Sequence, residues 1–211
     1  MSKIKRLPSE VVQIIAAGEV IERPSSIVKE LVENSLDAGA SEVLVELLAG
    51  GKKLIRVIDD GSGMSREDAE VCFERHATSK LASEEDLERI STLGFRGEAL
   101  ASIAAVSDIE LKTSDGQSAE GTRVERKPGE PAGLTGIAFP RGTAIEIKDI
   151  FHNLPARRKF LRSEQSELGH IVRFLSGLAL AYPEVRFTLS HGRREILDCP
   201  RVGSPRERTS G

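Results

Sequence analysis

Residues 24–40 read Pro-Ser-Ser-Ile-Val-Lys-Glu-Leu-Val-Glu-Asn-Ser-Leu-Asp-Ala-Gly-Ala. Pro24 suits the first position of a helix, and Ser25 or Ser26 can cap its free N–H groups. Gly39 suits the left-handed residue just past the end. Ile27, Val28, Leu31, Val32 and Leu36 recur at helical spacing and make one apolar face. Glu30, Asn34 and Asp37 fall together on another face, and Glu30 and Asn34 are i,i+4 neighbours whose heads can meet one object. Taken alone, such a face reads as solvated surface, with Lys29 and Glu33 offering an i,i+4 ion pair. The remainder of the chain decides between the two.

Downstream of this helix, Ser41 to Leu48 alternates, with Val43, Val45 and Leu47 on one face of a strand. Gly50-Gly51 turns the chain, and Lys53 to Asp59 returns as a second strand. Ile55 and Val57 share a face with Asp59, so an apolar row ends on a carboxylate. An ionised carboxylate only accepts hydrogen bonds. Lining a pocket, it would receive the exocyclic amine of adenine and repel the carbonyl of guanine; the plainer reading is an Asx-turn opening Asp59-Asp-Gly-Ser-Gly63. Gly61 and Gly63 permit close backbone approach. Thr143 likewise marks the polar end of a row with Ile145 and Ile147, as a base contact or as an ordinary strand threonine.

Two irregular stretches follow the glycine turn. Ser65 to about Arg75 opens like a capping box and continues as helix. His76-Ala-Thr-Ser-Lys80 then offers two hydroxyls and a cation, and Leu93-Gly-Phe-Arg-Gly-Glu-Ala-Leu100 runs into a helix over Glu98 to Val106. Glycine-loosened backbone before a helix start presents unpaired N–H groups, suited to phosphate and to a mobile lid; an ordinary turn is the alternative. No Walker A or Gly-x-Gly-x-x-Gly dinucleotide motif is present.

The second half is β-rich: Asp108 to Thr113, Gly121 to Arg126, Thr143 to Ile150, and a hairpin of Val185 to Ser190 and Glu195 to Leu197 about Gly192. Residues 127–142, with three prolines and four glycines, read as loop. Glu164 to Ala181 is a long helix. Pro155-Ala-Arg-Arg-Lys-Phe-Leu-Arg162 is a basic helical patch in which Phe160 and Leu161 dock while Arg157, Arg158, Lys159 and Arg162 face outward. These cations suit DNA phosphates, or simply solvent. Ser9 to Ala17 reads as a short helix ended by Gly18, and residues 201–211 as an unstructured tail after one α/β domain over residues 1–200.

Composition sets the bounds. The chain has 211 residues, 39% hydrophobic and 30% charged, with a net charge of −3. That balance fits a soluble globular protein and excludes a whole-surface nucleic-acid binder, though not a local basic patch. No apolar run reaches the roughly 20 residues that cross a bilayer, and no signal peptide is visible. Cys72 and Cys199, two distant thiols, fit a reducing cytoplasm. The four histidines have no metal-ligand spacing. The expected fold is α+β, an α/β sandwich of helices layered on a mixed, mostly antiparallel sheet.

Together and in order, these stretches resemble the MutL family of DNA mismatch repair proteins, within the ATPase group shared with gyrase B, Hsp90 and histidine kinases. The likeness runs from about Leu7 to Leu197. Its sharpest words are Ile15-Ala-Ala-Gly-Glu-Val-Ile-Glu-Arg-Pro24, Lys29 to Ala40, Asp59 to Gly63, Arg75 to Lys80, Gly94 to Leu100 and Asn153 to Leu161. The resemblance implies a Bergerat-type ATP-binding fold. It implies that Glu30 is the general base, that Asn34 coordinates Mg²⁺, and that Asp59 binds the adenine amine with Gly63 and Thr143 in support. Thr78, Ser79, Lys80, Gly94, Arg96, Gly97 and Leu100 would form the phosphate lid. It further implies ATP as ligand, slow hydrolysis and ATP-dependent homodimerisation into a DNA clamp. A MutS-type partner, a downstream nuclease or helicase, and bacterial cytoplasm with nucleoid association during repair follow from it as well. In the family a second domain donates a lysine to the terminal phosphate. These 211 residues do not contain it, so weaker hydrolysis is expected. A switch module with negligible hydrolysis, or another ATPase of the group such as a histidine kinase or topoisomerase, are the competing readings.

Overall fold

The computed structural model describes Ala17, Gly18, residues 20–75, Ala77 and 97–204. Among these, one eight-stranded sheet has the order β5-β4-β3-β6-β2-β1-β7-β8. The strands are β1 (Glu42–Leu48), β2 (Leu54–Asp59), β3 (Asp108–Ser114), β4 (Gly121–Arg126), β5 (Gly133–Ile137), β6 (Gly142–Lys148), β7 (Arg186–His191) and β8 (Arg194–Cys199). β1 and β7 run parallel, and every other neighbouring pair is antiparallel. The helices are α1 (Pro24–Asp37), α2 (Arg66–Val71), α3 (Ala99–Ala104), α4 (Pro155–Phe160) and α5 (Glu164–Ala181).

The apolar stripe of α1 is buried as its spacing predicts: Ile27, Val28 and Val32 are fully covered and Leu31 nearly so. It packs beside α5, whose Ile171, Leu175 and Ala179 are also buried, over Val43, Val45, Leu47, Ile55 and Val57 of the sheet. Gly39, at φ +70°, closes the helix in the left-handed region. The serine cap does not form. Arg23 is the extended N-cap residue and Pro24 the first helical one, which puts Ser25 and Ser26 inside the first turn. The Ser26 amide is already paired with the Arg23 carbonyl at 3.0 Å.

The other sheet face is polar and self-neutralised. Arg56 contacts Glu46 at 3.0 Å and Glu146 at 3.4 Å, and Glu110 contacts Lys112 at 2.6 Å and Arg123 at 2.9 Å. Hydrogen bonds from Lys112 and Arg123 hold the Glu110 carboxyl down at about 2. Such pairs along and across the strands make a solvated face and leave one apolar face for the helices.

Three boundaries differ from expectation. β5 lies inside the stretch read as loop; it is an edge strand pairing only with β4, mostly exposed, so no apolar alternation announces it. α2 stops at Val71, short of Arg75. Gly18 is helical and so does not end the helix read over Ser9 to Ala17, of which residues 9–16 lie outside the described ones. In the tail, Arg201 Nε donates to the Glu184 carbonyl at 2.9 Å and the Val202 amide to the Pro183 carbonyl at 2.9 Å. The tail therefore leaves along the α5–β7 turn, without helix or strand to Ser204. Between β6 and α4 the chain turns sharply through Asp149 (φ +48°) and Phe151 (φ +59°). A left-handed non-glycine residue costs about 1–3 kcal/mol. Burial of the Phe151 ring, 1% exposed, offsets a cost of that size with about 3 kcal/mol.

Candidate functional site

Three adjacent strands end their apolar rows on a polar residue at one level. In β2 the row is Ile55-Val57-Asp59, in β6 it is Ile147-Ile145-Thr143, and in β3 it is Ile109-Leu111-Thr113. Register sets them side by side: Asp59 pairs with Thr143, and Thr143 with Thr113. α1 lies over this end of the sheet and supplies Ser35, which is 2% exposed.

Asp59 is held from two sides. Ser35 Oγ donates to its Oδ2 at 2.8 Å, and the Gly61 amide donates to its Oδ1 at 3.0 Å. The second contact is an Asx-turn, so the structural reading and the site reading of Asp59 are satisfied together. Burial pushes the Asp59 carboxyl above its ordinary value, and the Ser35 and Gly61 hydrogen bonds partly restrain that rise. Asp60 behaves oppositely. Its carboxylate accepts the amides of Ser41 at 2.7 Å and Glu42 at 2.9 Å, and the Ser41 hydroxyl. Burial acts to raise it, but those three bonds outweigh burial and hold it low. Asp59 thus faces inward as an acceptor while Asp60 fastens the start of β1.

The glycine turn has no room for side chains. Gly63 sits at φ +65°, and a Cβ there would lie 1.9 Å from the Ser114 carbonyl oxygen. A Cβ on Gly142 would lie 2.2 Å from the carbonyl oxygen of Asp59. Thr113 is fully buried; its Oγ1 receives the Met64 amide at 2.9 Å and lies 3.0 Å from the Gly142 carbonyl and 3.1 Å from Thr143 Oγ1.

On α1, Lys29 Nζ lies 3.0 Å from Glu33 and 3.6 Å from Glu30. The Glu33 pairing is the one the helix spacing predicts. Glu30 keeps 27% of its side chain exposed, one turn before Asn34. Glu30 and Asn34 stand on the same helix as Ser35, which touches Asp59 directly.

Gly97 takes φ +61° just before α3, and Leu100 packs against the core from the first turn of that helix. Thr78, Ser79, Lys80, Gly94 and Arg96 lie outside the described residues. In the basic patch, Arg158, Lys159 and Arg162 are exposed. Arg157 is turned inward and donates to the carbonyls of Gly18 and Ile21. Phe160 and Leu161 part company: Leu161 packs on the core, whereas Phe160 is 84% exposed.

Residues 22–127 match the model of the histidine kinase-, DNA gyrase B- and HSP90-like ATPases. MutL of Solibacter usitatus is 53% identical over 208 residues, 99% of this chain and 32% of the relative. MutL of an Anaeromyxobacter strain is 54% identical over 197 residues, 93% of this chain and 32% of the relative. The Aquifex aeolicus MutL ATPase domain complexed with ADP superposes at a TM-score of 0.73 with 39% identity, covering 90% of this chain and 68% of that one. The chain belongs to the MutL family of DNA mismatch repair proteins. It spans about a third of the length of the curated relatives it matches. The mixed sheet with helices on one face is the Bergerat-type fold of the MutL ATPase domain, as the resemblance implied.

Two members of this polar cluster escaped the sequence reading. Ser35 falls on the apolar stripe of α1, one turn after Leu31, and a hydroxyl there was the available sign that this stripe meets a carboxylate. Thr113 ends a row just as Asp59 and Thr143 do. The pattern was present in three strands, but only their register shows that it is one pattern.

Proposed function

We propose that this MutL-family chain binds Mg-ATP and hydrolyses it slowly to ADP and phosphate. The observation that carries the reading is the partly buried, acceptor-only Asp59 at the shared polar end of β2, β6 and β3, beneath the helix that bears Glu30 and Asn34. Asp59 accepts the exocyclic amine of adenine, Thr143 supports the base, and Gly63 leaves it room. Glu30 takes the proton of the attacking water as general base. Asn34 contributes one hard oxygen to Mg²⁺. Among the described residues no three His, Cys, Asp or Glu converge on a metal site. That donor set fits a cation held mainly by phosphates and water, as magnesium is. Bound there, the ion supplies charge neutralisation at the phosphate oxygens.

Thr78, Ser79, Lys80, Gly94, Arg96, Gly97 and Leu100 form the lid over the phosphates. Ordering of the lid drives N-terminal pairing of two copies into a DNA clamp, and hydrolysis resets it. Arg158, Lys159 and Arg162 contact DNA phosphates without reading sequence. A MutS-type protein upstream and a nuclease or helicase downstream are the partners, in the cytoplasm at the nucleoid. No helix among the described residues is long and apolar enough to cross a membrane.

ATP binding to wild type and Asp59→Asn, with and without Mg²⁺, tests the reading. Losing a charge-assisted hydrogen bond costs about 1.5–3 kcal/mol, roughly 10- to 100-fold in affinity. Equal affinity in the two proteins, or no binding by wild type, overturns it.

A further inference from the structure

The hydroxyl of Thr113 has one proton and two lone pairs. The Met64 amide, 2.9 Å away, can only donate and so occupies one lone pair. The Gly142 carbonyl, 3.0 Å away, can only accept and so takes the proton. One lone pair remains for Thr143, and the 3.1 Å contact between the two hydroxyls is a hydrogen bond only if Thr143 donates it. The reverse order would leave the Thr113 and Gly142 oxygens 3.0 Å apart with no proton between them. Full burial of Thr113 removes solvent as an alternative partner.

From this geometry we infer that Thr113, fully buried and bonded to three protein groups, sets base specificity by drawing the Thr143 proton away from the site. Thr143 then presents only lone pairs there, alongside Asp59, its neighbour across the β2–β6 ladder. The floor beneath the base is acceptor-only. It takes a base edge that brings an N–H and rejects a carbonyl at the same position. The inference rests on the nucleotide reading proposed above and names a positioning residue for it.

Inosine triphosphate is the probe, because it differs from ATP by a 6-oxo group in place of the 6-amine, with the proton on N1. In Thr113→Val the Thr143 hydroxyl is free to turn and donate to the 6-oxo group. Calorimetric titration of wild type with the two triphosphates should show a strong preference for ATP. In Thr113→Val the ATP:ITP affinity ratio should fall by about tenfold, chiefly through tighter ITP binding. Adding Thr143→Val to that variant should abolish the gain. Thr113→Ser, which keeps the hydroxyl, should retain the wild-type ratio. The Met64 amide loses its partner in Thr113→Val. If that variant does not fold, Thr113→Cys, with a weak thiol donor and acceptor, should move the ratio the same way. A ratio unchanged in the folded variant, or equal weakening of both ligands, overturns the inference. Wild type that binds neither triphosphate instead overturns the nucleotide reading on which it stands.

Discussion

Replacing Ser35 with alanine removes the only side-chain donor on Asp59 among the described residues. The hydroxyl has one proton. It goes to the carboxylate at 2.8 Å in preference to the Leu31 carbonyl at 3.2 Å, because the charged acceptor is stronger and nearer. A hydrogen bond to an ionised group is worth about 1.5–3 kcal/mol, so Ser35→Ala should lose about 2 kcal/mol near neutral pH. For a chain of this size that is roughly 4–8 °C in melting temperature. The pH dependence has a definite sign. Burial already holds the Asp59 carboxyl above its ordinary value, and Ser35 is the largest influence restraining it. Without that donor the carboxyl rises further. A raised carboxyl makes the ionised native state costly, so the native state gains stability as pH falls through that raised value toward the ordinary carboxylate range and Asp59 takes a proton. The stability deficit of Ser35→Ala should therefore shrink on acidification, toward the 0.5–1.5 kcal/mol or so of a neutral hydrogen bond. Nucleotide affinity runs the other way. It needs the ionised acceptor, so binding should fade at a higher pH in the variant than in wild type as pH is lowered. Thermal melts and ATP titrations across the acid range measure both. Coincident pH profiles for the two proteins would refute the role given to Ser35.

Other perturbations separate the remaining roles. Glu30→Ala should keep ATP binding and lose turnover by roughly 10²- to 10⁴-fold, measured as phosphate release; full turnover removes Glu30 as the base. Gly63→Ala should lose both ATP binding and about 3 kcal/mol or more of stability, since its backbone is left-handed and a Cβ meets the Ser114 carbonyl at 1.9 Å; a normal melt would contradict the tight turn. Reversing Arg158, Lys159 and Arg162 to glutamate should weaken DNA binding and flatten its salt dependence, while Arg157→Ala should lower the melting temperature and leave the salt slope nearly unchanged. An equal change of slope in both proteins would return Arg157 to the DNA-facing set.

Local rules accounted for much of the chain because its signals are local. The α1 stripe, the Gly39 terminator, the Lys29–Glu33 pair and the α5 helix all follow from spacing of three or four residues, where neighbours meet by helix geometry alone. The edge strand β5 was invisible because its exposed face gives no alternation. The inward turn of Arg157 could not be read either, because its partners lie more than 130 residues earlier.

The opening helix shows where the division falls. Residues 24–40 by themselves determined a helix, its buried stripe and the two polar heads of Glu30 and Asn34. They did not determine what the helix that carries those heads packs over. That follows from the register of β2, β6 and β3, which sets Asp59, Thr143 and Thr113 in one row, and from the packing of α1 that brings the Ser35 hydroxyl to Asp59. Side-chain spacing along a helix or strand is written in the order of residues. Which rows stand side by side is chosen by burying all their apolar members under one helix layer, and only the folded chain makes that choice.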